Sequence, residues 1–236
     1  MSFSIVIPFY NEELNIKNLL NEINTSLKNL YDNFEIILIN DASNDKTFEI
    51  LKLLENQNKK IKLINNSLNI GQSYSIIKGI KVSKFDTIVT LDGDGQNNPI
   101  DIPNLLNEYF NSSKICLVAG IRLNRKDKFI KKLSSKIANK FRKFFLNDDC
   151  DDTGCSLKVF SKKIFLNFPE FKGLHRYLPA LFKGYGCKVV FLPVSHRPRI
   201  YGQSNYGTFL RLFSGCYDII RILKILRKIK NNDSIS

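Results

Sequence analysis

The chain has 236 residues, of which 43% are hydrophobic and 25% charged, an ordinary globular composition that excludes disordered, collagen-like and disulfide-scaffold classes. Its length suits one α/β domain with a short appendage. The net charge of +14 is uneven, because residues 1–113 hold 10 Lys/Arg and 14 Asp/Glu whereas residues 114–236 hold 26 and 8, which points to a polyanionic partner, either nucleic acid or an anionic membrane surface.

Short β-rich runs alternate with helical patterns in the first half of the chain. The predicted strands are Phe3–Ile7, Phe34–Ile39, Ile61–Ile64, Thr87–Leu91 and Ile115–Ala119. Apolar residues at helical spacing predict helices over 16–30, Phe48–Leu54, Tyr74–Val82 and Ile102–Phe110. This order predicts a mostly parallel sheet, with a ligand crevice beyond the carboxyl ends of its strands.

The second half is basic and amphipathic. Ten Lys/Arg and one acid stand between Arg122 and Lys143, and interleaved apolar residues predict a basic amphipathic helix over 133–144. We expect a strand at Cys187–Leu192, a loop rich in Pro, Arg and Gly, and a second amphipathic helix at Thr208–Lys230. The apolar face of this last helix is wider than a monomer's surface helix needs.

Three acidic clusters follow predicted strands. They are Pro8-Phe-Tyr-Asn-Glu12, Asn40-Asp-Ala-Ser-Asn-Asp45 and Asp92-Gly-Asp-Gly-Gln96. Strand ends in one parallel sheet face one crevice, so we expect these clusters to converge. Two carboxylates at i and i+2 suit a hard cation such as Mg²⁺ or Mn²⁺. The D-x-D pattern alone is weak, because Asp149-Cys-Asp151 repeats it without a strand before it.

These segments resemble the family-2 glycosyltransferases with the GT-A fold. The resemblance is carried by Ser4–Glu12, Ile39–Ser43, Asn69–Gly71 and Leu91–Gln96. Within that family the chain is similar to the polyprenyl-phosphate sugar transferases, a group that includes dolichyl-phosphate mannose synthase and bacterial undecaprenyl-phosphate enzymes. The segments similar to this group are Gly120–Arg122, Ser135–Asn139, Asp152–Lys158 and Arg199–Ser204.

The resemblance implies a role for each matching residue. The donor would be a nucleotide sugar, either UDP- or GDP-linked, and Arg199 would contact its diphosphate. The residues that would bind this donor are Pro8, Tyr10, Glu12, Asp41, Asp92, Gly93, Asp94, Gln96 and Arg199. Among these, Asp92, Asp94 and Gln96 would hold Mg²⁺ or Mn²⁺. The acceptor phosphate would be received by Arg122, Lys131 and Ser135, and Asp94, Arg122 and Asp152 are the candidate catalytic residues.

The chain departs from the family pattern at four positions. Asn40 replaces the first residue of the usual Asp-Asp pair, and Gly93 replaces the commoner alanine between the metal carboxylates. Asn205 replaces a lysine, which leaves one cation fewer for the donor diphosphate. Lys131 stands where arginine is usual, and Lys132 is an equally good candidate for that position.

The implied reaction is inverting transfer of a sugar to a polyprenyl phosphate. A phosphate monoester with a second pKa near ~6 is already ionised at neutral pH and needs no general base. His175 is accordingly treated as a packed or capping residue. The alternatives are a transferase with a sugar-hydroxyl acceptor, which would need a base such as Asp152, a nucleic-acid-binding module, and a membrane-docking protein without activity.

The predicted location is the cytoplasmic face of a membrane. No signal peptide and no run of about 18 apolar residues is present, so we expect no span. Five cysteines without a C-x-x-C pair favour neither zinc nor a disulfide framework and fit a reducing compartment. We divide the chain into a catalytic domain, 1–207, and a helix and tail, 208–236, that lies at the membrane interface.

Overall fold

A computed structural model gives the fold of residues 1–28, 30–111, 114–122, 142–199 and 208–233, with the side chains of the last segment described for 217–229. Within these residues seven strands form one sheet in the order β3-β2-β1-β4-β6-β5-β7. They are β1 (Ser2–Phe9), β2 (Asn33–Asn40), β3 (Ile61–Asn65), β4 (Thr87–Thr90), β5 (Ile115–Arg122), β6 (Lys158–Ser161) and β7 (Lys188–Val194).

Helices connect these strands and cover the sheet. They are α1 (Ile16–Leu27), α2 (Thr47–Gln57), α3 (Gln72–Val82), α4 (Ile102–Phe110), α5 (Lys162–Phe165), α6 (Leu178–Gly184) and α7 (Thr208–Asp233). Residues 142–146 are also helical, and 3₁₀ turns lie at Pro99–Asp101 and Leu174–Arg176. Pairing is parallel from β3 through β2 and β1 to β4, and again between β5 and β7. The mostly parallel α/β fold expected from the alternating pattern is therefore confirmed.

The core has two layers because successive side chains of a strand point to opposite faces of the sheet. On one face Ile5 and Ile7 of β1 pack with apolar residues of α1, α2 and α4. On the other face Val6 packs with α3, α6 and α7. A strand buried on both faces reads as a continuous apolar run, which is why β1 and β2 are recognisable from sequence.

Strand β6 is the element that the hydrophobic pattern does not reveal. It has four residues, Lys158-Val-Phe-Ser161, and it pairs antiparallel with both β4 and β5. Its first residue is a lysine that is only 2% exposed, and a buried charge is the opposite of what a strand pattern leads one to expect. By inserting between β4 and β5, β6 carries the preceding loop to the carboxyl end of β4.

Helix α7 packs on the domain along part of its length. Ile219 and Ile222 are buried in the second core layer, and Asp218 accepts a hydrogen bond from Arg176 at 3.2 Å. Tyr217 and Ile220 remain exposed. The predicted amphipathic helix therefore has a core side and an outer side over 217–229, and within the described residues no helix is both long and apolar enough to cross a bilayer.

Candidate functional site

The loops after β1 and β2 are tied together at the carboxyl end of the sheet. Asn11 donates its backbone N–H to Ser43 Oγ at 3.0 Å, and its Oδ1 accepts from the backbone of Asn44 at 2.8 Å. Glu13 donates its backbone N–H to Asp45 Oδ2 at 3.2 Å, and its Oε2 accepts from the backbone of Lys46 at 2.9 Å. Because parallel neighbours end at the same edge, the first two acidic clusters form one wall of the crevice.

Glu12 is buried in this wall. Its Oε2 accepts from Asn15 Nδ2 at 2.6 Å, its Oε1 binds Arg199 Nη2, and its backbone N–H donates to Thr47 Oγ1. Burial, opposed by the Asn15 and Arg199 contacts, raises the pKa of Glu12 to about 7. The structure therefore brings together Glu12 and Arg199, two predicted donor-binding residues that are far apart in the chain.

Asp41 fixes the loop after β3 at the edge of the crevice. Its Oδ2 accepts from the backbone of Gly71 at 2.8 Å, and its Oδ1 accepts from the backbone of Ile70 at 3.0 Å. Asn40, the residue that departs from the usual Asp-Asp pair, instead donates to Asn65 Oδ1 and accepts from the backbone of Ser43. Asn40 thus links neighbouring strand ends without bringing a second charge.

Asp92 and Asp94 lie just after β4, in the middle of the sheet. Asp92 Oδ1 accepts from Gln72 Nε2 at 2.6 Å, and Asp94 Oδ1 accepts from the backbone of Gln96 at 3.1 Å. Burial, together with the charge of Asp94, raises the pKa of Asp92 to about 6. A crowded pair of carboxylates of this kind gains from a bound cation.

The donor set fits a hard divalent ion. Asp92, Asp94 and Gln96 offer carboxylate and amide oxygens, the ligands that Mg²⁺ and Mn²⁺ prefer. Among the described residues, no group of three His, Cys, Asp or Glu side chains converges to hold a metal. That is compatible with ions of this type, since they are commonly held by one or two carboxylates and by substrate phosphates.

Gly93, between these carboxylates, is pressed against the end of β1. A Cβ at this position would lie 2.5 Å from Phe9 Cδ1 and 2.8 Å from the carbonyl oxygen of Pro8. Phe9 is fully buried in the core, so its ring has little room to move away. The departure from the commoner alanine at position 93 therefore has a local cause, which is the close approach of the Phe9 ring and of the Pro8 carbonyl oxygen.

Arg122 and Asp152 form a close pair on the opposite side of the crevice. Arg122, at the end of β5, donates from Nε to Asp152 Oδ2 at 2.6 Å and from Nη2 to Oδ1 at 2.7 Å. Asp152 is only 5% exposed. Gly154 gives the guanidinium its space, because a Cβ there would lie 2.8 Å from Arg122 Nη2. The charge of Arg122 favours the ionised form of Asp92, so the pair lies near the carboxylate of Asp92.

The segment after β7 returns across the crevice. Arg197 makes two hydrogen bonds to Glu22 of α1, at 2.8 and 2.7 Å. Its backbone N–H donates to the carbonyl of Gln96. This segment therefore delivers Arg199 to Glu12. The remaining predicted acceptor residues, Lys131 and Ser135, lie outside the described residues, as do Lys132, Asn205 and most of the basic helix expected at 133–144.

The sequence predicts no ligand-binding role for four polar residues close to these loops. Gln72 binds Asp92, and Ser73 lies 2.8 Å from His175 Nδ1. Buried Lys158 donates to the carbonyl oxygen of Cys155, and its charge acts on both Asp92 and His175. The signal for Gln72 and Ser73 was their position after Asn69-Ile-Gly71. Lys158 ends the similar segment Asp152–Lys158, whereas His175 has no such local signal.

Sequence comparison gives one family match and several curated relatives. The model described as Glycosyl transferase family 2 matches residues 4–168. The undecaprenyl-phosphate 4-deoxy-4-formamido-L-arabinose transferase of Pectobacterium atrosepticum is 32% identical, over 93% of this chain and 67% of the relative. The dodecaprenyl-phosphate galacturonate synthase of Rhizobium johnstonii is 29% identical, over 96% and 68%. The chain thus spans about two thirds of the length of these relatives.

Structural comparison supports the same architecture. Glucosyl-3-phosphoglycerate synthase from Mycobacterium tuberculosis, in complex with Mn²⁺, UDP and glucosyl-3-phosphoglycerate, aligns with a TM-score of 0.67 at 16% identity, over 95% of this chain and 79% of that one. The same enzyme with Mg²⁺ and UDP aligns with a TM-score of 0.66 at 15% identity, over the same shares. At this level of identity the likeness shows the fold alone.

Proposed function

The chain belongs to glycosyl transferase family 2, and from this membership we propose that it transfers a sugar from a nucleotide sugar to the phosphate of a polyprenyl phosphate, inverting the anomeric centre. The fold is that of the GT-A glycosyltransferases, as expected from the sequence. The named acceptors of the curated relatives, undecaprenyl and dodecaprenyl phosphate, support the acceptor class. The product would be a lipid-linked sugar.

The observation that carries this proposal is the Arg122–Asp152 pair beside the carboxylates after β4. Two of the five guanidinium N–H donors of Arg122 bind Asp152, which leaves donors for a second anion. Charge-assisted hydrogen bonds of this kind suit a phosphate. A fixed guanidinium next to Asp92 and Asp94 would place an acceptor phosphate against the sugar end of a donor diphosphate.

The donor would lie along the wall made by the first three strand loops. Pro8, Tyr10, Glu12 and Asp41 would hold the base and ribose, and Arg199 would contact the diphosphate. Asp92, Asp94 and Gln96 would hold Mg²⁺ or Mn²⁺, which when bound supplies positive charge for the departing diphosphate. The Mn²⁺, Mg²⁺ and UDP of the neighbouring solved structures support this arrangement. A panel of UDP- and GDP-linked sugars distinguishes the two nucleotides.

The chain's own residues would act by positioning and by electrostatic stabilisation. The acceptor phosphate oxygen is already ionised at neutral pH, so no side chain has to remove a proton from it. Arg122 holds that oxygen in line with the anomeric carbon, and Arg199 faces the charge that grows on the leaving group. A sugar-hydroxyl acceptor would need Asp152 as a base, but both Asp152 carboxylate oxygens already bind Arg122.

The test is transfer by the purified protein. We would supply undecaprenyl phosphate in detergent, Mn²⁺ or Mg²⁺, and a panel of UDP-glucose, UDP-galacturonate, UDP-4-deoxy-4-formamido-L-arabinose and GDP-mannose, and measure glycolipid by mass spectrometry. We expect one donor to give a product and EDTA to abolish it. Transfer to sugar hydroxyls and not to undecaprenyl phosphate would show that the proposed acceptor is wrong. Salt-sensitive DNA binding without any transfer would favour a nucleic-acid-binding module.

We also propose that the outer side of α7 rests on an anionic membrane surface. Tyr217 is 63% and Ile220 54% exposed, and a groove of about 290 Å³ there is lined by Tyr217, Ile220, Arg221, Lys224, Ile225 and Lys228. Apolar residues flanked by cations are typical of helices that lie among lipid headgroups. Because the lipid tail of the acceptor stays in the bilayer, the crevice has to lie at the membrane surface to receive the acceptor phosphate. The cytoplasmic face is consistent with the free thiols of the four described cysteines.

Point substitutions test this surface better than removal of 208–236, because that deletion would also take away the buried Ile219 and Ile222. Lys224→Glu and Ile220→Glu should weaken co-sedimentation with vesicles that contain anionic lipid, since each cation near such a surface contributes about 1 kcal/mol. Lys17→Glu on α1 makes the same charge change at another exposed position and is the matched control. Equal loss in all three variants would refute α7 as the docking surface.

A further inference from the structure

His175 has a defined protonation pattern. Its Nδ1 lies 2.8 Å from Ser73 Oγ, and Ser73 Oγ accepts the backbone N–H of Gly173 at 2.7 Å. Within the described part of the chain, the Ser73 hydroxyl has no other acceptor for its proton than His175 Nδ1. The hydroxyl therefore donates to Nδ1, and the single proton of the neutral ring is on Nε2.

The ring stays neutral at physiological pH. Burial, reinforced by the charges of Lys158 and Arg176, lowers the pKa of His175 to about 3. Nε2 has no hydrogen-bond partner among the residues that the structure describes, and the residue as a whole is half-buried. His175 is thus a fixed hydrogen-bond donor, and not a group that exchanges protons during turnover.

The position of this donor relative to Asp92 follows from α3. Ser73 comes directly after Gln72, whose Nε2 donates to Asp92 Oδ1 at 2.6 Å. The charge of Lys158, the first residue of β6, acts on both Asp92 and His175. His175 therefore lies at the carboxyl edge of the sheet, beside the first turn of α3, from which Gln72 reaches Asp92.

We propose that His175 Nε2–H donates a hydrogen bond to an oxygen substituent of the donor sugar, and that His175 is a specificity-determining residue of the transferase. The inference rests on the proposed function, in which the nucleotide occupies the β1 and β2 loops and the diphosphate lies at Asp92 and Asp94. The sugar follows the diphosphate along the donor, so it lies in the crevice beyond the nucleotide, and His175 lies at the same edge of the sheet. A neutral donor suits a hydroxyl or carbonyl oxygen, whereas a cation would suit another phosphate.

The first test compares binding of a nucleotide with binding of nucleotide sugars. We would measure by calorimetry the affinity for UDP, UDP-glucose, UDP-galacturonate and UDP-4-deoxy-4-formamido-L-arabinose. The ratio of the affinity for each nucleotide sugar to the affinity for UDP is the gain that the sugar provides. His175→Phe should reduce the largest such gain about 3- to 10-fold, the scale of one hydrogen bond, and should leave UDP affinity unchanged. His175→Gln, which keeps an N–H near the position of Nε2, should retain the gain.

Three results would overturn the inference. They are a gain that survives His175→Phe, a loss of UDP affinity equal to the loss of nucleotide-sugar affinity, and the absence of any gain in the unmodified protein. This measurement uses no acceptor, so it is distinct from the test of function. Transfer of sugar without the expected His175 effect overturns the inference alone, and absence of transfer to polyprenyl phosphate overturns the proposed function.

The second test reads the tautomer directly. The chain has two histidines, so spectra of the protein labelled with ¹⁵N-histidine can be assigned by comparison with His175→Gln. We expect His175 to carry its proton on Nε2 and to show no titration between pH 5 and 8. Ser73→Ala should disturb this pattern, whereas Ser83→Ala, at the other end of α3, should not. A proton on Nδ1, or titration near the ordinary histidine pKa, would refute the proposal.

Discussion

Replacing Gly93 by alanine adds one methyl group at a close contact between the loop after β4 and the end of β1. The new Cβ would lie 2.5 Å and 2.7 Å from two atoms of the Phe9 ring and 2.8 Å from the carbonyl oxygen of Pro8. Ordinary carbon contacts are about 3.5–4 Å, so the ring or the backbone must shift by roughly 1 Å. Phe9 is fully buried, which makes this shift costly.

The expected cost has two parts. Overpacking of a core by one methyl group destabilises by about 1–3 kcal/mol, which for a chain of this size lowers the Tm by about 2–10 °C. The substitution also lies between Asp92 and Asp94, and a misplacement of about 1 Å in catalytic groups costs on the order of 10²-fold in rate. We therefore expect Gly93→Ala to lose more in turnover than its stability alone explains.

Phe9→Leu provides the decisive comparison, because it removes the ring atoms that meet the new methyl group. The double variant should recover part of both losses, with a coupling of about 1–2 kcal/mol in stability. The contact with the Pro8 carbonyl remains, so recovery should be incomplete. Thermal unfolding followed by circular dichroism and the glycolipid assay measure the two effects separately.

The control is Phe34→Leu, which changes another core phenylalanine, in β2. Phe34 stacks on Phe3 near the opposite end of the strands, so its effect should simply add to that of Gly93→Ala. If Phe9→Leu is equally additive, or if Gly93→Ala unfolds at the temperature of the unmodified protein, the steric explanation of Gly93 is wrong.

Three further predictions concern charges in the crevice. Asp94→Asn should lower turnover at least about 10²-fold with an unchanged Tm, and normal transfer would dismiss the metal assignment. Arg122→Ala should lower kcat/KM for polyprenyl phosphate about 10- to 100-fold and leave the affinity for UDP, measured by calorimetry, unchanged. A loss of UDP affinity with unchanged acceptor kinetics would instead assign Arg122 to the donor site. Glu12 stays protonated to a higher pH in the folded protein than in the unfolded chain, because its pKa is about 7 instead of the ordinary 4.5. Its contribution to stability therefore falls as the pH rises from 4.5 to 7. Glu12→Gln cannot ionise, and its Tm relative to the unmodified protein should therefore rise from pH 5 to 8; a constant difference would refute this pKa.

Local sequence patterns were sufficient for most of the sheet and for the positions of the acidic clusters. Strands β1 and β2 are continuous apolar runs because both of their faces are buried, and the structure extends their predicted ends by one or two residues, where ladder pairing continues. Strand β6 escaped prediction since it is short and begins with buried Lys158. Its place in the sheet depends on β4 and β5, which lie far away in sequence.

The sequence by itself determined the α/β order, the family and the convergence of acidic strand ends, because these depend on periodicity and on motifs that are contiguous in the chain. Only the tertiary structure decided which side chains meet. The pairs Glu12 with Arg199, Arg122 with Asp152 and Ser73 with His175 each join distant segments. Hydrogen bonds and burial between such segments have no local signature, yet they set which groups carry charge and where each donor is held.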